Sequence, residues 1–432
     1  MKPLMSGAAL LSLVKTYGNF AGAMMARGLE VVGKLGLYML GARALGLHDA
    51  GNFFLCLTWV GVVATISRAG FEKAVIRHLA AELAVGRGRE ARKALLASSA
   101  FVTFGATLAT LATILLAPAL ATYAFSDPEL TRPLIISAFA ILPQALCIYM
   151  GHALVGFNQG ALGQLVQNGL WPALTLAALL AGVTSLDGLL YALAAVNLTA
   201  ALLGLGLLLR ERHRLHDRQA AGEAVAAMPA LWRTAMPLSV VEVVQIVLAS
   251  LPVLLLAVFG LPSAVGAFSV ANRISMLIWV VSTSIGVVAA PSFAASHRRE
   301  DWTALRGLNR KVRLAVAVFG APIVAAMLLF PSALLNLVGP GFEIAAPALM
   351  VMGLGQLINC ALPCQDIMLS MTGHGGLLRW LNTAQLVVCC AICLLLIPPF
   401  GMMGAAVATA VFAAQGAIGT TIAVRRYLPK AF

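Results

Sequence analysis

The chain has 432 residues, of which 61% are hydrophobic and 10% are charged, and its mean hydropathy is +0.93. Soluble domains are about half apolar and a quarter charged, so this composition excludes a soluble globular fold and indicates an integral membrane protein. The net charge of +13 does not indicate nucleic acid as a partner, because the 29 Lys and Arg residues are concentrated in alternate segments between apolar runs. That distribution is the positive-inside pattern of membrane proteins.

Apolar runs of about 20 residues recur along the chain and lack the alternating pattern of barrel strands, so they predict about twelve membrane-spanning helices. The spans lie near residues 18–42, 50–70, 95–117, 133–156, 163–183, 188–209, 234–259, 264–290, 312–331, 346–370, 380–398 and 403–424. Residues 4–14 are predicted to form an uncleaved interfacial helix, because no small-residue cleavage site follows them. The basic segments 71–93, 210–233 and 292–313 are predicted to be cytoplasmic loops, with both termini in the cytoplasm.

A weak repeat relates the two halves of the chain. "LGLHDAGNF" (45–53) is similar to "FGLPSAVGAF" (259–268), "LLAPALATY" (115–123) to "LLFPSALLNL" (328–337), and "TSLDGLLYALAAV" (184–196) to "PPFGMMGAAVATAV" (398–411). An even number of spans separates the copies, so they are parallel repeats. The predicted fold is therefore an all-α polytopic membrane protein with two six-helix lobes around a central cavity. The lobes are residues 1–209 and 234–432, joined by the cytoplasmic basic linker 210–233.

The sequence has the organisation of a transporter and no motif of an enzyme. It contains no P-loop, no H-E-x-x-H, no G-x-S-x-G and no D-x-x-D motif, so we predict neither catalytic residues, nor a bound metal, nor a cofactor. The seven cysteines lie in predicted spans, and Cys390 and Cys393 are interpreted as packing residues because a thiolate there would need polar partners. Energy for transport would come from a proton or sodium gradient or from the gradient of the substrate itself.

Three charges in the first span share one helix face. Arg27 and Glu30 are three residues apart and Glu30 and Lys34 are four apart, which makes them neighbours on an α-helix. Ionisable residues within a span usually face the bundle interior or a water-filled cavity. The three residues form either a self-neutralising group or, because one positive charge is left over, the lining of a cavity that binds an anion.

Other polar residues within spans are further site candidates. Arg273, which follows Asn272, is either an anion-binding residue or one half of a structural ion pair with Glu242 or Glu30. Glu242 is either that partner or an acid whose protonation is coupled to transport. Arg68 either binds substrate or extends to the headgroups. Asp366 either closes an inner gate or joins a local network. Gln164, Gln167 and Asn168 either contact sugar or form hydrogen bonds between helices.

The stretch "LVKTYGNFAGAMMARGLEVVGKLGLYMLGARALGLHDAGNFFL", followed by "ISRAGFEKAVIRHLA", resembles the start of the polysaccharide (O-antigen and exopolysaccharide) flippases. These form the Wzx-like branch of the multidrug/oligosaccharidyl-lipid/polysaccharide exporter superfamily. In the second half, "AFSVANRISMLIWVVSTSIGVVAAPSFA" is similar to the eighth helix of that family. The resemblance covers essentially the whole chain.

The resemblance implies a flippase of the bacterial inner membrane that moves an undecaprenyl-diphosphate-linked oligosaccharide outward. Its implied partners are that lipid, the membrane, and the polymerase and glycosyltransferases of polysaccharide synthesis. Lipid II flippases are similar but carry two extra helices. Small-molecule exporters of the same superfamily would favour an acid-lined cavity. A non-transporting scaffold of a synthesis complex is the third alternative.

Overall fold

The structure is a computed structural model that describes residues 7–216, 230–259 and 262–431. These ranges contain helices and turns and no β-strand, as the long apolar runs predict. The helices are α1 Gly7–Arg68, α2 Phe71–Ala84, α3 Gly88–Ala119, α4 Thr131–Ala138, α5 Ile141–Gly156, α6 Gly160–Gln164, α7 Leu170–Leu180, α8 Leu186–Arg210, α9 Leu231–Phe259, α10 Pro262–Arg298, α11 Trp302–Leu329, α12 Pro331–Asn336, α13 Ala346–Ala361, α14 Gln365–Met371, α15 Gly375–Phe400 and α16 Met402–Tyr427.

Within the described ranges, ten helical segments are long and apolar enough to cross a membrane. One of them, Met25–Arg68, holds the first two predicted spans, which are separated at Gly46, a residue with non-helical φ of 76° and ψ of 176°. Glycine adopts this conformation without a steric penalty. The fifth predicted span corresponds to residues 160–180 and is not among the ten, and its polar residues Gln164 and Gln167 lower its hydropathy.

Two predicted cytoplasmic loops are largely helical. Residues 71–93 were expected to be a loop but form α2 and the first turns of α3, and the basic segment 292–313 contains the end of α10 and the start of α11. Hydropathy detects spans, whereas charged helices continue beyond the apolar run, so these connecting segments are helical. Their cytoplasmic position stays a prediction. Likewise, helix α1 already includes Gly7, so residues 7–14 do not form a separate lead-in helix.

Two predicted spans are broken within their length. Residues Phe139 and Ala140 interrupt the fourth span between α4 and α5. In the tenth span, α13 ends before Pro363, and Cys364 takes a left-handed conformation with φ of 59° before α14 begins. The residue before a proline is disfavoured in the helical region, which explains why the helix ends there.

The chain divides into two compact units. The first comprises Met1–Ala44 and Cys56–Ile246, and the second comprises Leu45–Leu55 and Val247–Phe432. Of the predicted linker 210–233, residues 217–229 lie outside the described residues, as do residues 260–261 of the predicted turn between spans seven and eight. The lobe boundaries drawn from the repeat therefore stay a prediction.

Each unit has an apolar core and an apolar outer surface. The largest fully buried side chains include Tyr149 and Phe157 in the first unit and Phe268 and Phe342 in the second. Many leucines are exposed, for example Leu115, which is 78% exposed. Apolar residues on the outside are expected for helices that face lipid hydrocarbon.

Candidate functional site

Three charged side chains on α1 form one connected group. The Glu30 carboxylate accepts hydrogen bonds from Arg27 Nη1 at 3.1 Å and from Lys34 Nζ at 2.7 Å, as the three- and four-residue spacing predicts. The Glu30 side chain is 11% exposed, whereas those of Arg27 and Lys34 are 41% and 31% exposed. Because one carboxylate lies between two cations, this group, the α1 charge ladder, carries one excess positive charge on its more open side.

Helix α1 packs closely on residues 160–180. A Cβ atom at Gly33 would lie 2.8 Å from the backbone nitrogen of Ala173, so this approach requires a residue without a side chain. One residue further along α1, Lys34 Nζ lies 5.5 Å from the centre of the Trp171 ring, within cation–π range. The α1 charge ladder therefore borders residues 160–180.

Residues 160–180 contain a π-helical turn, Leu165–Gly169, between α6 and α7. Pro172 lies just after it, and the ring of a proline clashes with the carbonyl four residues earlier, here that of Asn168. A π-helical turn is one way for a helix to absorb such a mismatch, and these turns are frequent at functional sites. The proline thus accounts for an irregular helix at the place where the sequence is most polar.

The polar candidates of this segment lie at the π-helical turn. Asn168 Nδ2 donates to Gln164 Oε1 across 3.5 Å. Gln167 is 3% exposed, and its Oε1 has no hydrogen-bond partner within the described part of the chain. A buried acceptor without a donor is costly, so Gln167 is the side chain here that a bound hydroxyl or water would stabilise most.

The chemistry offered at this site is binding. Guanidinium and ammonium groups are the side chains that bind phosphate oxygens, and the neighbouring amides provide donors and acceptors for hydroxyl groups. Among the described residues, no three His, Cys, Asp or Glu side chains lie together so as to hold a metal ion. The arrangement fits an anionic ligand that is rich in hydroxyl groups.

Arg68 lies inside the protein and does not extend to the headgroups. Arg68 is 4% exposed. Its Nη1 donates to the Ala64 carbonyl at 3.0 Å, and its Nε lies 3.4 Å from Glu72 Oε1. The chain turns at Gly70, where φ is 74°, so that α2 places Glu72 beside the guanidinium. Snorkelling is wrong for Arg68 because a carboxylate and a backbone carbonyl are available within the fold.

Glu242 of α9 forms an ion pair with Lys73 of α2. Beside this pair the backbones come close, since a Cβ atom at Gly70 would lie 2.6 Å from the Ala235 carbonyl oxygen and 2.5 Å from the Ser239 nitrogen. The Lys73 and Glu242 side chains are 40% and 20% exposed. Glu242, one of the two acids considered as a partner of Arg273, therefore pairs with Lys73, which lies in the segment predicted to be a cytoplasmic loop.

His152 of α5 lies in the electrostatic field of these charges, since it interacts with Glu72, Arg68 and Glu242. Its Nδ1 donates to the carbonyl of Ile148, one turn earlier, at 2.8 Å. We call the set formed by Arg68, Glu72, Lys73, His152 and Glu242 the α2 cluster. Both Glu72 oxygens and Arg68 Nε have no hydrogen bond within the described residues.

The second unit holds the remaining candidates. Arg273 of α10 is half-buried, and its Nη1 contacts Met276 Sδ at 3.7 Å, while Asn272 is 7% exposed. Asp366 lies in the first turn of α14, directly after the break in the tenth span, and is exposed. Their functions stay predictions.

Sequence reasoning missed Glu72, Lys73 and Trp171. The first two lie in the segment that was assigned to a loop, although its apolar residues recur at helical spacing, as Val75 and Leu79 do. That periodicity could have identified α2. The contact of Trp171 with Lys34 has no sequence signal, because it depends on how α1 packs against residues 160–180.

Residues 19–297 match a protein family described as "Polysaccharide biosynthesis protein". The matched range is more than half of the chain. The chain belongs to this family. In this polysaccharide biosynthesis protein, the matched range includes the α1 charge ladder, the α2 cluster, the polar turn of residues 160–180 and Arg273. The family resemblance predicted from the sequence is confirmed.

Solved structures show the same fold. An inward-facing multidrug resistance transporter of the MATE family and MOP superfamily has a TM-score of 0.71 and 14% identity, covering 95% of this chain and 98% of its own. The lipid II flippase MurJ, inward closed, has a TM-score of 0.71 and 13% identity, covering 95% and 89%. A MOP superfamily transporter from Pyrococcus furiosus has a TM-score of 0.58 and 15% identity, covering 96% and 94%.

Among curated proteins, a search finds no significant match. At identities this low, the structural likeness is one of fold. It confirms the predicted all-α fold of a polytopic membrane protein.

Proposed function

We propose that this polysaccharide biosynthesis protein is a flippase that moves an undecaprenyl-diphosphate-linked oligosaccharide from the cytoplasmic to the outer leaflet by alternating access. Its membrane would be the bacterial inner membrane, with both termini in the cytoplasm. The family match supports an activity in polysaccharide synthesis, and the fold is shared with a lipid flippase and with transporters. The proposal adds the substrate, its lipid carrier and the direction.

The observation that carries the proposal is the α1 charge ladder. Glu30 is bonded on both sides, so it holds Arg27 and Lys34 in fixed positions while neutralising only one of them. A diphosphate carries about two negative charges at neutral pH, and an arginine fork binds phosphate oxygens in a bidentate manner. In a site of low dielectric, such charge-assisted hydrogen bonds are stronger than in water. The neighbouring polar turn of residues 160–180 would contact the first sugars.

Transport would draw on a proton or sodium gradient, or on the substrate gradient, since the sequence contains no ATP-binding motif. A cation-coupled exporter of small molecules is the competing function, and the fold shared with a MATE transporter favours it. The excess positive charge of the α1 charge ladder argues against a cationic cargo. A lipid II flippase also fits a diphosphate lipid, and MurJ shares the fold.

The test is complementation of a bacterial strain whose own copy of the gene is deleted. We expect Arg27→Ala combined with Lys34→Ala to lower surface polysaccharide at least about tenfold, because hydrogen bonds to charged groups contribute about 1.5–3 kcal/mol each. Lipid-linked oligosaccharide should accumulate in the same cells. The matched control is Arg132→Ala, which removes an exposed arginine paired with Asp187 and should complement fully.

The alternatives give different results in the same strain. Full surface polysaccharide from the double variant at normal protein level would overturn the proposal and favour a scaffold. Drug sensitivity of the deletion strain with unchanged polysaccharide would favour the small-molecule exporter. Arrest of cell-wall synthesis with unchanged surface polysaccharide would favour lipid II.

A further inference from the structure

A cavity of about 310 Å³ opens at one end of the first unit. Its walls are two turns, residues 157–159 after α5 and the 3₁₀ turn Glu211–Leu215 after α8. The lining residues are Phe157, Asn158, Gln159, Glu211, His213 and Arg214. The cavity is separate from the α1 charge ladder and the α2 cluster, whose residues do not line it.

Arg214 is held rigidly in the wall of this cavity. Its Nη1 donates to the Phe157 carbonyl at 2.8 Å and to Glu211 Oε2 at 3.1 Å, and its guanidinium lies 5.8 Å from the centre of the Phe157 ring. The other Glu211 oxygen accepts from Gln159 Nε2 at 3.1 Å. Since both Glu211 oxygens are occupied within the wall, the carboxylate orients the arginine, which is 35% exposed.

His213 adds a second nitrogen group to the cavity. Its Nδ1 lies 2.9 Å from the Arg210 carbonyl, and because a carbonyl can only accept, Nδ1 carries the proton in this contact. Nε2 is the ring nitrogen left for a ligand. Arg214 therefore provides donors for an anionic group, and a ring nitrogen of His213 faces the same cavity.

The surroundings of the cavity are strongly basic. Residues 87–93 and 210–216 together carry seven Arg or Lys residues and two Glu. The two segments touch, since a Cβ atom at Gly88 would lie 2.4 Å from the His216 carbonyl oxygen. A patch with this excess of positive charge raises the local concentration of anions.

The cavity lies just beyond the ends of two apolar helices. Helix α5 ends at Gly156 and α8 at Arg210, so both walls begin where a membrane-spanning helix ends. Directly before the cavity along α8, Leu205 and Leu209 are 41% and 56% exposed, which is the surface that acyl chains cover. By the positive-inside rule, this basic end belongs to the cytoplasmic leaflet.

We propose that the cavity binds the phosphate group of an anionic membrane lipid, with Arg214 as its principal ligand and His213 as the second. The lipid is bound and not transported, so this site is distinct from the one proposed for the oligosaccharide carrier. Basic pockets at the cytoplasmic ends of spans are suited to such headgroups. Arg214 is the key residue because its orientation is fixed before the lipid binds, which lowers the entropy cost of binding.

The test is native mass spectrometry of the purified full chain in detergent. Short-chain phosphatidylglycerol and phosphatidylcholine of the same chain length are added separately, and inorganic phosphate is then added at equal concentration to the sample with phosphatidylglycerol. We expect retention of phosphatidylglycerol and not of phosphatidylcholine, and we expect Arg214→Gln to weaken that retention about tenfold. The matched control is Arg212→Gln, which removes an exposed arginine of the same turn that does not line the cavity, and it should change retention less than twofold.

Equal lipid retention by the wild type and Arg214→Gln would overturn the proposal. A loss of retention in Arg212→Gln as large as that in Arg214→Gln would also overturn it, because it would indicate a diffuse charge effect. Inorganic phosphate that displaces the lipid at equal concentration would assign the site to free phosphate and overturn the lipid assignment. If Arg214→Gln fails to fold, Arg214→Lys keeps the charge without the fork, and an intermediate loss of retention is expected. Unchanged retention in Arg214→Lys would then overturn the assignment of the Arg214 guanidinium as the principal ligand.

Discussion

Arg68 Nε lies 3.4 Å from Glu72 Oε1, and the two side chains are only 5% and 1% exposed. A buried ion pair is costly to break, because removal of one partner leaves an uncompensated charge, at about 3–5 kcal/mol. We expect Glu72→Ala to lower the free energy of unfolding by an amount of this order, measured as a lower thermal midpoint of the purified protein. Glu90→Ala is the control, since it breaks an exposed pair with Lys93 and should cost less than about 1 kcal/mol.

Replacement of both Arg68 and Glu72 should have the opposite effect on stability to removal of Glu72 alone. Replacing both partners by apolar residues, Arg68→Met with Glu72→Leu, removes the desolvation cost together with the attraction, and such replacements are often neutral or stabilising by about 1–4 kcal/mol. The double variant should therefore unfold at a higher temperature than Glu72→Ala alone. If the double variant is as unstable as Glu72→Ala, the loss in Glu72→Ala does not come from leaving the Arg68 charge buried without a partner, and this explanation is contradicted.

Helix α1 approaches the backbone of α10 closely at Gly51. A Cβ atom there would lie 1.9 Å from the Pro262 carbonyl oxygen and 3.2 Å from the Gly266 nitrogen. We expect Gly51→Ala to force the two segments apart and to destabilise the protein by about 1–3 kcal/mol, as measured by thermal unfolding. Gly61→Ala, in the same helix, has no atom within 4 Å of the added Cβ. It should be neutral or stabilising by about 0.5–1 kcal/mol, and equal loss in both variants would refute the close-approach explanation.

Features that depend on local periodicity were predictable from the sequence. The α1 charge ladder follows from the three- and four-residue spacing around Glu30, and the span order follows from hydropathy. Pro363 predicts the helix break before Cys364, but hydropathy alone does not detect a proline break within an apolar run. The break at Phe139 and Ala140 also had a signal, because the ring of Pro143 clashes with the carbonyl four residues earlier, that of Phe139.

Contacts between distant segments were not predictable. Lys73 and Glu242 lie far apart in the sequence, and each could pair with several charges until packing brings α2 against α9. Arg68 was ambiguous for a related reason, since hydropathy scores each residue by itself and gives no information on whether a carboxylate will lie beside it. The candidate site was therefore predictable where one helix forms it and unpredictable where several helices do.

Asp301 gives a pH-dependent prediction outside the spans. Its Oδ1 accepts hydrogen bonds from the Ala304 amide at 2.9 Å and from the Thr303 hydroxyl at 2.8 Å. The Ala304 amide is the main cause that holds the pKa of this carboxyl below its ordinary value, and the Thr303 hydroxyl acts in the same direction. A carboxyl with a lowered folded-state pKa stabilises the fold above its unfolded pKa, and this contribution is lost as pH falls through the folded value.

We therefore expect Asp301→Ala to lower the thermal midpoint at pH 7, with a difference from the wild type that begins to shrink near about pH 4 and disappears at lower pH. Asp301→Asn is the control, because its amide oxygen still accepts from the Ala304 amide but does not titrate. Its midpoint at pH 7 should be near that of the wild type. If the difference between Asp301→Ala and the wild type stays constant down to pH 2, the ionised Asp301 carboxylate does not stabilise the start of α11.

Glu242 has two interpretations, an ion-pair partner and an acid whose protonation is coupled to transport. Variants of the ion pair between Lys73 and Glu242 distinguish between them. Both side chains are partly exposed, so Glu242→Gln should cost the fold less than about 1 kcal/mol, and its effect on surface polysaccharide reports on function rather than folding. If the pair acts only as a contact between α2 and α9, exchanging the charges, Lys73→Glu with Glu242→Lys, restores what each single variant loses.

We expect this restoration, because Gly70 already brings the two helices into backbone contact and the pair needs only opposite signs at the two positions. The measurement is surface polysaccharide in the deletion strain for both single variants, the exchanged pair and Glu242→Asp. Restoration by the exchanged pair assigns a contact function to Glu242. Activity in Glu242→Asp but not in the exchanged pair would instead require a carboxylate at this position, and the coupling interpretation would replace the contact interpretation.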